Sequence, residues 1–463
     1  MDFDPTRAGV ELPDEALLKK FDVPAPRYTS YPTADRFHGR ITPEDYQAAL
    51  ARREKAAKPA KLSLYCHIPF CNDVCFYCGC NKIVTRDHSR SAAYIKTLLK
   101  EADLAKEHLT GIKTLEQLHW GGGTPTFLND DEILELMAGL NERFPFEEGG
   151  EFSIEVDPRS CPPSKIKTLR KAGFNRMSLG VQDFNPDVQK AVNRIQPFEM
   201  TKEVLESARA EGFGSINMDL IYGLPRQTRE TFARTIEQVI ELSPDRIALY
   251  HYAHLPNIFK PQRRIIPAEL PGAAERVNIM FDAIKTLTSH GYRYIGMDHF
   301  AKETDAQVNG TIQRNFQGYS TRAECDMVAL GPSSISFVDG LYACNPREIE
   351  PWSEAIESGK LATCRGFELN DDDKLRRAVI MTIMCRFELD KREIEEEFGI
   401  KFDEYFAYEM KKLQAYVKHE LAELTADKII VSPKGKIFVR AVAMQFDRYL
   451  RESDRAGGYS KIA

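Results

Sequence analysis

Short β-type runs alternate with longer helical stretches from about residue 61 to residue 300. Segments with helical apolar periodicity, such as 92–109, 130–144 and 229–242, separate these runs. Strands separated by helices of this length predict βαβ units and a parallel sheet. The predicted fold is therefore α/β, a full or partial (β/α) barrel, in which functional residues gather at the carboxyl ends of strands. The strand candidates are residues 62–68, 115–121, 152–157, 176–182, 215–223, 246–253 and 292–300.

The regions before and after this alternation have different sequence patterns. Residues 24–37 are rich in Pro and Tyr, which predicts an extended N-terminal arm. From about residue 366 the pattern is mainly helical, and two β-type runs around Ser-Pro-Lys-Gly within 426–441 predict a hairpin. We therefore expect an arm or lid over residues 1–60, a barrel with its extension over 61–365, and a helical, winged-helix-like domain over 366–463.

Charge and hydropathy exclude several classes of protein. The net charge of −6 argues against a general nucleic-acid role, for which a basic surface is expected. The acidic N-terminus lacks the apolar core of a signal peptide, and no apolar run approaches the roughly 18 residues of a membrane span. We expect a cytoplasmic protein, in which cysteines act as thiols or metal ligands rather than disulfides.

Five of the ten cysteines fall between positions 66 and 80. Within that stretch, a C-x3-C-x2-C loop can supply three thiolates to a four-iron cluster, whereas ferredoxin-type spacings supply four. One iron then stays open to bind a substrate. In radical S-adenosylmethionine (SAM) chemistry that iron holds the methionine moiety, and cleavage of the sulfonium gives a 5′-deoxyadenosyl radical. The predicted ligands of one 4Fe–4S cluster are Cys71, Cys75 and Cys78.

Structural zinc and core packing account less well for the cysteine loop. Structural zinc sites usually need a second C-x2-C pair, which this chain lacks. Packing in the core does not suit a loop whose intervening residues include Asn, Asp and Gly. Cys80 fits two roles, a fourth ligand when SAM is absent or a thiol beside the cluster. The scattered cysteines are interpreted as core or incidental residues.

A glycine-rich motif, His119-Trp-Gly-Gly-Gly-Thr-Pro125, directly follows the second strand candidate. Three glycines let the backbone approach a ligand closely and expose its N–H and C=O groups. The expected ligand is the methionine amino group of SAM, and the alternative is a plain turn. The cysteine loop one strand upstream favours the ligand.

An ordered set of motifs now resembles one family, the oxygen-independent coproporphyrinogen III oxidases. The motifs are YCHIPFCNDVCFYCGCNKIVTR, LHWGGGTPT, SIEVDPR, GVQDFN, VNR, NMDLIYGLP, YAHLP, GMDHFA and RNFQGY, with PRYTSYPTA near the N-terminus and CRFELD near the C-terminus. The resemblance covers nearly the whole chain. It implies a radical SAM partial barrel with an N-terminal arm and a helical C-terminal domain. It also implies conversion of the ring A and B propionates of coproporphyrinogen III to vinyl groups, giving protoporphyrinogen IX in haem biosynthesis.

The family resemblance further implies two SAM molecules. The first-SAM contacts carried over are Tyr65, Gly122, Glu155, Ala253 and Ile335, and the second-SAM contacts are Tyr77, Gly123, Thr124, Gln182, Arg194 and Asp219. Carboxylates can accept hydrogen bonds from ribose hydroxyls, and an arginine can donate two parallel hydrogen bonds to a carboxylate. Two departures stand out: Tyr77 where the family often has Phe, and GPSSIS where GVSAIS is more usual, which bears on Ile335. The alternatives are a helix cap or core ion pair for the two carboxylates and ordinary packing for Tyr65.

A substrate with four propionates predicts arginines that face it, and no catalytic side chain is expected beyond the cluster and SAM. Arg314 is preferred because Asn315, Gln317 and Tyr319 surround it with hydrogen-bonding groups. Exposed arginines are also commonly just solvated. The N-terminal arm, with Tyr28 and Tyr31, is interpreted as a lid. The candidate substrate contacts are Arg27, Arg263, Arg264 and Arg314.

The chain has no second cysteine cluster, so the reducing electron is expected from a flavodoxin- or ferredoxin-like partner, and the chain is expected to be a monomer. Two alternatives compete with the decarboxylase. One is a related radical SAM haem chaperone, methyltransferase or cyclopropanase. The other is a non-catalytic iron–sulfur or zinc protein that binds through its winged-helix-like end. The Cys78-Gly79-Cys80 doublet, PRYTSYPTA and RNFQGY favour the decarboxylase, and the acidic charge disfavours the binding protein.

Overall fold

The computed structural model of the chain describes residues 9–54, 61–109, 114–305, 307, 312–322, 325–452 and 459–462. Residues 37–279 and 324–368 form a larger compact unit, and residues 1–36, 280–323 and 369–463 form a smaller one. Each unit therefore combines segments that are distant in sequence. The three-domain division at 60 and 365 stays a prediction.

The strands lie mostly where the sequence predicts them. In chain order they are β1 Lys61–Ile68, β2 Phe70–Cys71, β3 Ile83–Val84, β4 Leu115–Gly122, β5 Phe146–Val156, β6 Arg176–Gln182, β7 Ser215–Tyr222, β8 Arg246–His251, β9 Tyr292–Gly296, β10 His299–Lys302, β11 Gln313–Asn315, β12 Gly318–Ser320, β13 Cys325–Leu330, β14 Ile335–Val338, β15 Leu341–Cys344, β16 Arg365–Glu368, β17 Glu388–Asp390, β18 Ala422–Leu424 and β19 Lys428–Val431.

Three of the longer helices begin at a capping box, where the N-cap side chain and the third helical residue satisfy each other's backbone N–H. The N-caps are Asn129, Thr228 and Asn370. The helices are Glu15–Phe21, Pro43–Glu54, Ser89–Lys106, Asp130–Arg143, Pro163–Ala172, Pro186–Ala191, Phe198–Ala210, Arg229–Leu242, Ala273–Ser289, Ile349–Glu357, Asp371–Arg386, Lys391–Phe398, Phe402–Tyr405, Ala407–Val417, Val439–Ala443 and Arg448–Arg451.

The larger unit is built on strands in the order β16-β15-β14-β13-β1-β4-β5-β6-β7-β8. From β13 to β8 every neighbouring pair is parallel. β1, β4, β5, β6, β7 and β8 follow one another in chain order with at least one helix between each successive pair. β13 to β16 form an antiparallel meander. The predicted α/β partial barrel is confirmed.

Alternating burial along the central strands decides which side chains can form a site. In β6, Met177, Leu179 and Val181 are buried in the core, while the residues between them are only half-buried. β7 repeats this pattern, with Met218 and Leu220 in the core. Because successive strand residues point to opposite faces, the residues between these apolar ones share the inner face. That face carries Ser178, Gly180, Gln182, Asp219 and Ile221.

The smaller unit has its own apolar core. Helix Asp371–Arg386 contributes Val379, Ile380 and Ile383 to it, and the rings of Tyr28 and Tyr31 are fully buried in the same core. The Tyr28 hydroxyl donates to Asp447 Oδ2 at 3.0 Å. The Tyr-rich segment is therefore an integral part of this core, and its role as a lid stays a prediction.

Two local predictions in the smaller unit are wrong. The single strand at 292–300 is an antiparallel hairpin of β9 and β10, because Gly296 and Met297 adopt positive φ angles of 141° and 51° and turn the chain. The Ser-Pro-Lys-Gly hairpin is also absent from the described residues. β19 instead pairs with β17 and β18, and a short 3₁₀ helix at Lys436–Phe438 buries Ile437 and Phe438.

None of the helices in the described residues is both long and apolar enough to cross a membrane.

Candidate active site

The cysteine loop joins β2 to β3 and is fixed from both sides. Cys71 lies in β2, which pairs in parallel with β3. The Phe76 N–H donates to Val192 O at 2.9 Å, and Asn193 Nδ2 donates to Val74 O at 2.8 Å. Gln262 Nε2 donates to Tyr77 O at 2.9 Å. Hydrogen bonds to backbone groups of the loop therefore hold the segment that carries all three predicted ligands.

The three thiols lie in different surroundings. Cys71 Sγ is 3.3 Å from Thr124 Oγ1, and burial raises the pKa of this thiol to about 11. The Cys80 N–H donates to Cys78 Sγ at 3.4 Å, and hydrogen bonds from Cys80 together with the charge of Lys82 lower the pKa of Cys78 to about 6. Cys78 is therefore more readily ionised than Cys71. This matters because the thiolate, not the thiol, is the metal ligand.

Two arginines approach the third thiol. Arg159 Nη2 is 3.4 Å and Arg194 Nη1 is 3.6 Å from Cys75 Sγ. Asp157 Oδ2 accepts hydrogen bonds from both guanidinium groups, at 2.7 and 3.0 Å. Although burial opposes ionisation of Asp157, Arg194 and Arg159 hold the pKa of this carboxyl down at about 2. Two guanidinium groups therefore lie within 3.6 Å of the sulfur of Cys75.

These thiols open into a cavity of about 330 Å³ within the larger unit. Eight of the eleven predicted SAM contacts line it, including all six of the second-SAM set. Those eight are Tyr77, Gly122, Gly123, Thr124, Glu155, Gln182, Arg194 and Asp219.

The remaining three predicted SAM contacts are not among the lining residues. The Tyr65 hydroxyl lies 3.1 Å from His67 Nδ1, and its ring stacks on His119. Ala253 is exposed after β8, and Ile335 is half-buried in β14. All eleven assignments stay predictions.

Two cavity carboxyls have pKa values that are shifted in opposite directions. Glu155 accepts from the Gly122 N–H at 3.2 Å and lies 3.3 Å from His119 Nε2. Desolvation would raise the pKa of Glu155, but His119 and this N–H lower it overall. Asp219 accepts from the Ser178 hydroxyl at 2.8 Å, and burial raises its pKa to about 6. Both can accept hydroxyl groups near neutral pH.

The backbone at this end of the sheet is unusual. Gln182 has φ 68° and Asn193, beside Arg194, has φ 55°, a region that non-glycine residues rarely occupy and that clusters at functional sites. A Cβ on Gly123 would lie 2.5 Å from Pro69 O, so only glycine lets this strand end approach the segment that leads into the cysteine loop. The glycine motif thus also serves packing within the chain.

The chemistry of these residues fits an iron–sulfur cluster with a bound anionic group. Three thiols face one cavity beside two guanidinium groups. Arg194 is 6% exposed, and its Nε has no hydrogen-bond partner among the described residues. A buried N–H without a partner costs about 1–3 kcal/mol, which a bound carboxylate would offset.

The predicted substrate arginines lie in two places. Arg27 and Arg314 belong to the smaller unit, where Arg314 Nε donates to Arg27 O at 3.0 Å and Arg27 pairs with Asp298. Arg263 and Arg264 belong to the larger unit, are exposed, and are absent from the lining of the cavity. As substrate contacts, all four stay predictions.

Sequence reasoning singled out the SIEVDPR motif but assigned no role to Asp157 or Arg159. Both follow Glu155 at the end of β5, and Asp157 caps the turn by accepting from the Arg159 N–H at 3.1 Å. Their position at a strand end was the available signal. Lys82, whose Nζ donates to Cys78 O at 3.2 Å, was also missed.

Comparison with known proteins agrees with this geometry. Residues 65–239 match the family model described as the radical SAM superfamily, and residues 369–438 match the HemN C-terminal domain. The chain is 47% identical over 448 residues to the oxygen-independent coproporphyrinogen III oxidase of Pseudomonas aeruginosa, covering 96% of this chain and 97% of that protein. The chain belongs to the oxygen-independent coproporphyrinogen III oxidase family. The Escherichia coli family member is 44% identical over 453 residues, covering 97% of this chain and 98% of that protein.

A solved structure of a family member is also similar. Coproporphyrinogen III oxidase (HemN) from Escherichia coli, described as a radical SAM enzyme, superimposes with a TM-score of 0.89 at 42% identity, covering 95% of this chain and all of that chain. Membership of this coproporphyrinogen III oxidase family confirms the predicted radical SAM fold and implies a 4Fe–4S cluster and SAM as cofactors.

Proposed function

We propose that this chain catalyses oxygen-independent oxidative decarboxylation of two propionates of coproporphyrinogen III, giving protoporphyrinogen IX in haem biosynthesis. At each propionate, –CH2–CH2–COO⁻ becomes –CH=CH2 with loss of CO2, one hydrogen atom and one electron. The observation that carries the proposal is a cavity shared by three cysteine thiols and the ends of successive strands, in a chain 47% identical to the named oxidase of Pseudomonas aeruginosa.

Three groups of cavity residues have a part in this proposal: the thiols, the arginines beside Cys75 and the carboxylates. When bound, the cluster and SAM supply a 5′-deoxyadenosyl radical for abstraction of a hydrogen atom from the propionate β-carbon. Cys71, Cys75 and Cys78 ligate iron, while Arg159 and Arg194 offset negative charge at Cys75. The carboxylates at the strand ends accept ribose hydroxyls. All six residues of the second-SAM set line the cavity, which supports two SAM molecules.

Arg314 is proposed to bind a propionate. It is 3% exposed, its guanidinium lies 5.0 Å from the Tyr319 ring centre, and its Nη1 has no hydrogen-bond partner among the described residues. A buried guanidinium N–H without a partner favours a carboxylate, which it can bind with a charge-assisted hydrogen bond.

The proposal includes an external electron donor of the flavodoxin or ferredoxin type, a cytoplasmic location and a monomeric state. The need for an external donor follows from the cysteine content of the chain. The cysteines outside the 71–80 loop are scattered through the sequence and provide no second cluster motif.

The test is anaerobic turnover of the reconstituted protein with dithionite, SAM and coproporphyrinogen III. We expect 5′-deoxyadenosine and protoporphyrinogen together. Cys75→Ala should lose both products, whereas Cys364→Ala, at an exposed cysteine outside the loop, should keep them. SAM cleavage without turnover of coproporphyrinogen III would indicate a different radical SAM activity. An intact four-iron cluster without either product would favour a haem chaperone.

A further inference from the structure

The segment from Leu255 to Ile266 is anchored directly to the cysteine loop. Gln262 is buried, donates to Tyr77 O, and accepts from the Leu255 N–H at 2.6 Å. Ile265 packs in an apolar cluster whose half-buried members include Phe76 and Tyr77. The Phe259 ring lies against Gly79, where a Cβ would be 3.0 Å from its Cζ. The Phe259 ring therefore lies between this segment and the backbone next to Cys78.

The same segment exposes large apolar side chains. Leu255, Ile258 and Ile266 are 43%, 65% and 54% exposed, and they are three of the seven exposed large hydrophobic residues among those the structure describes. Single exposed apolar residues are ordinary, but a group on one short segment marks an interaction site.

Basic side chains accompany these apolar ones. Lys260, Arg263 and Arg264 are all exposed, and residues 252–268 contain no Asp or Glu, although the whole chain is acidic, with 69 acidic and 63 basic residues. Arg263 Nε donates to Pro256 O at 3.0 Å, and Arg264 lies 5.1 Å from the Phe76 ring centre. Within the described residues none of the three cations is paired with a carboxylate. The segment is thus a local positive patch on a negative protein.

We propose that residues 255–266, the 255–266 surface, form the docking site of a small acidic electron-transfer protein that reduces the cluster. The inference rests on the proposed function, because that activity needs an electron from outside the chain. The electron enters at the side of the loop that carries Cys78, past the Phe259 ring. Exposed apolar residues on the same short segment as unpaired positive charges suit a weak, fast and salt-sensitive encounter of the kind that electron-transfer pairs use.

The other anionic occupant of such a surface is the substrate, an apolar ring system with four carboxylates. The cavity argues for the protein partner instead. No residue between 253 and 270 is among those lining it, and the segment contacts the cysteine loop through Tyr77 O and Gly79. Arg263 and Arg264 are accordingly assigned to the partner rather than to coproporphyrinogen.

The test is stopped-flow reduction of the cluster-containing protein by reduced flavodoxin, an acidic flavoprotein, without substrate. Arg263→Glu/Arg264→Glu should slow reduction at low salt by at least about tenfold. Lys167→Glu/Arg234→Glu, an equal charge change at exposed positions on helices Pro163–Ala172 and Arg229–Leu242, should leave the rate unchanged. Reduction by dithionite should be the same in all three proteins. The wild-type rate should fall as salt rises, and the Arg263/Arg264 variant should show a weaker salt dependence.

Since Arg264 also packs on Phe76, Arg263→Glu alone is the second variant, and a reduction at least threefold slower is expected. Equal rates of reduction by flavodoxin for Arg263→Glu/Arg264→Glu and Lys167→Glu/Arg234→Glu overturn the proposal. Weaker binding of coproporphyrinogen III by Arg263→Glu with unchanged reduction by flavodoxin also overturns it, in favour of a substrate site. The proposed function is tested separately by dithionite-driven turnover of the wild type, so failure of one proposal is distinguishable from failure of the other.

Discussion

Arg159 Nη2 lies 3.4 Å from the sulfur of Cys75. The arrangement is held by Asp157, which accepts from the same Nη2 at 2.7 Å and from Arg194 at 3.0 Å. One carboxylate therefore orients two cations toward one predicted iron ligand. Net charge and hydrogen bonds to the ligand sulfurs are among the main determinants of a cluster's reduction potential.

Removal of this guanidinium should make the cluster harder to reduce. We predict that Arg159→Ala lowers the midpoint potential by about 60 mV, since the charge-assisted hydrogen bond that is lost favours the more negative, reduced state over the oxidised state by about 1.4 kcal/mol. Potentiometric titration followed by electron paramagnetic resonance measures this shift. Arg143→Ala, which removes an ion pair with Asp103, is the control and should leave the potential unchanged. An unshifted potential in Arg159→Ala would refute the role assigned to Arg159.

Asp219 should make SAM binding depend on pH. Burial raises the pKa of this carboxyl to about 6, so it is ionised at pH 7 and mostly protonated at pH 5. If the carboxylate accepts a ribose hydroxyl, wild-type affinity for SAM should be about tenfold weaker at pH 5 than at pH 7. Asp219→Asn should bind weakly at both pH values, with a smaller ratio between them.

Equilibrium dialysis of SAM against the anaerobic, cluster-containing protein measures these affinities. Asp187→Asn, at an exposed position of helix Pro186–Ala191, should behave as wild type. A pH dependence in Asp219→Asn equal to that of the wild type would show that another group is responsible.

Glu101 should give the folded chain an unusual pH dependence of stability. It is buried, accepts from the Gly331 N–H at 2.7 Å and from Asn345 Nδ2 and Trp352 Nε1, and so fixes the GPSSIS loop that leads to Ile335. Burial raises its pKa from 4.5 to about 7. Between these values the folded state holds a proton that the unfolded chain has released. The contribution of Glu101 to the free energy of unfolding should therefore fall by about 3 kcal/mol as pH rises from 4.5 to 7, and stay level above that.

Urea unfolding at several pH values measures this effect. Glu101→Gln cannot ionise and should make the pH dependence shallower by the Glu101 contribution. Its amide leaves a former donor without an acceptor and lowers stability by about 1–3 kcal/mol. Glu135→Gln, at an exposed carboxyl of helix Asp130–Arg143, should keep the wild-type slope. An identical slope in Glu101→Gln would mean that Glu101 does not titrate in this range.

Iron content should separate Cys80 from the three predicted ligands. Cys80 is exposed, and its N–H already donates to Cys78 Sγ. We predict that Cys80→Ser keeps about four irons per chain after reconstitution, whereas Cys71→Ser, Cys75→Ser and Cys78→Ser each lose most of the iron. Iron and sulfide assays measure this, and a Cys80→Ser protein without iron would make Cys80 a ligand.

Sequence reasoning predicted the parallel strands because each is a short apolar run followed by a helix with clear periodicity and caps. It also predicted which strand ends carry polar side chains, and the cavity brings eight of the predicted SAM contacts together with the thiols. Local patterns suffice for these features because burial on one face of a strand is visible in its own sequence.

The failures arose where distant contacts decide the structure. A Cβ at Gly435 would lie 1.8 Å from Leu421 O, so the chain after Ser432 is shaped by tight packing on a neighbouring segment rather than by its β-type composition. The contact of Arg159 and Arg194 with Cys75 joins three separate segments. No periodicity or turn signal in any one of them reveals it.

The most direct test of the proposed decarboxylation follows the hydrogen that leaves the propionate. Coproporphyrinogen III carrying deuterium at the propionate β-carbons should be turned over anaerobically, and the 5′-deoxyadenosine analysed by mass spectrometry. We expect one deuterium in the 5′-deoxyadenosine formed for each vinyl group. Vinyl products with unlabelled 5′-deoxyadenosine, or SAM cleavage with no vinyl product, would contradict this expectation.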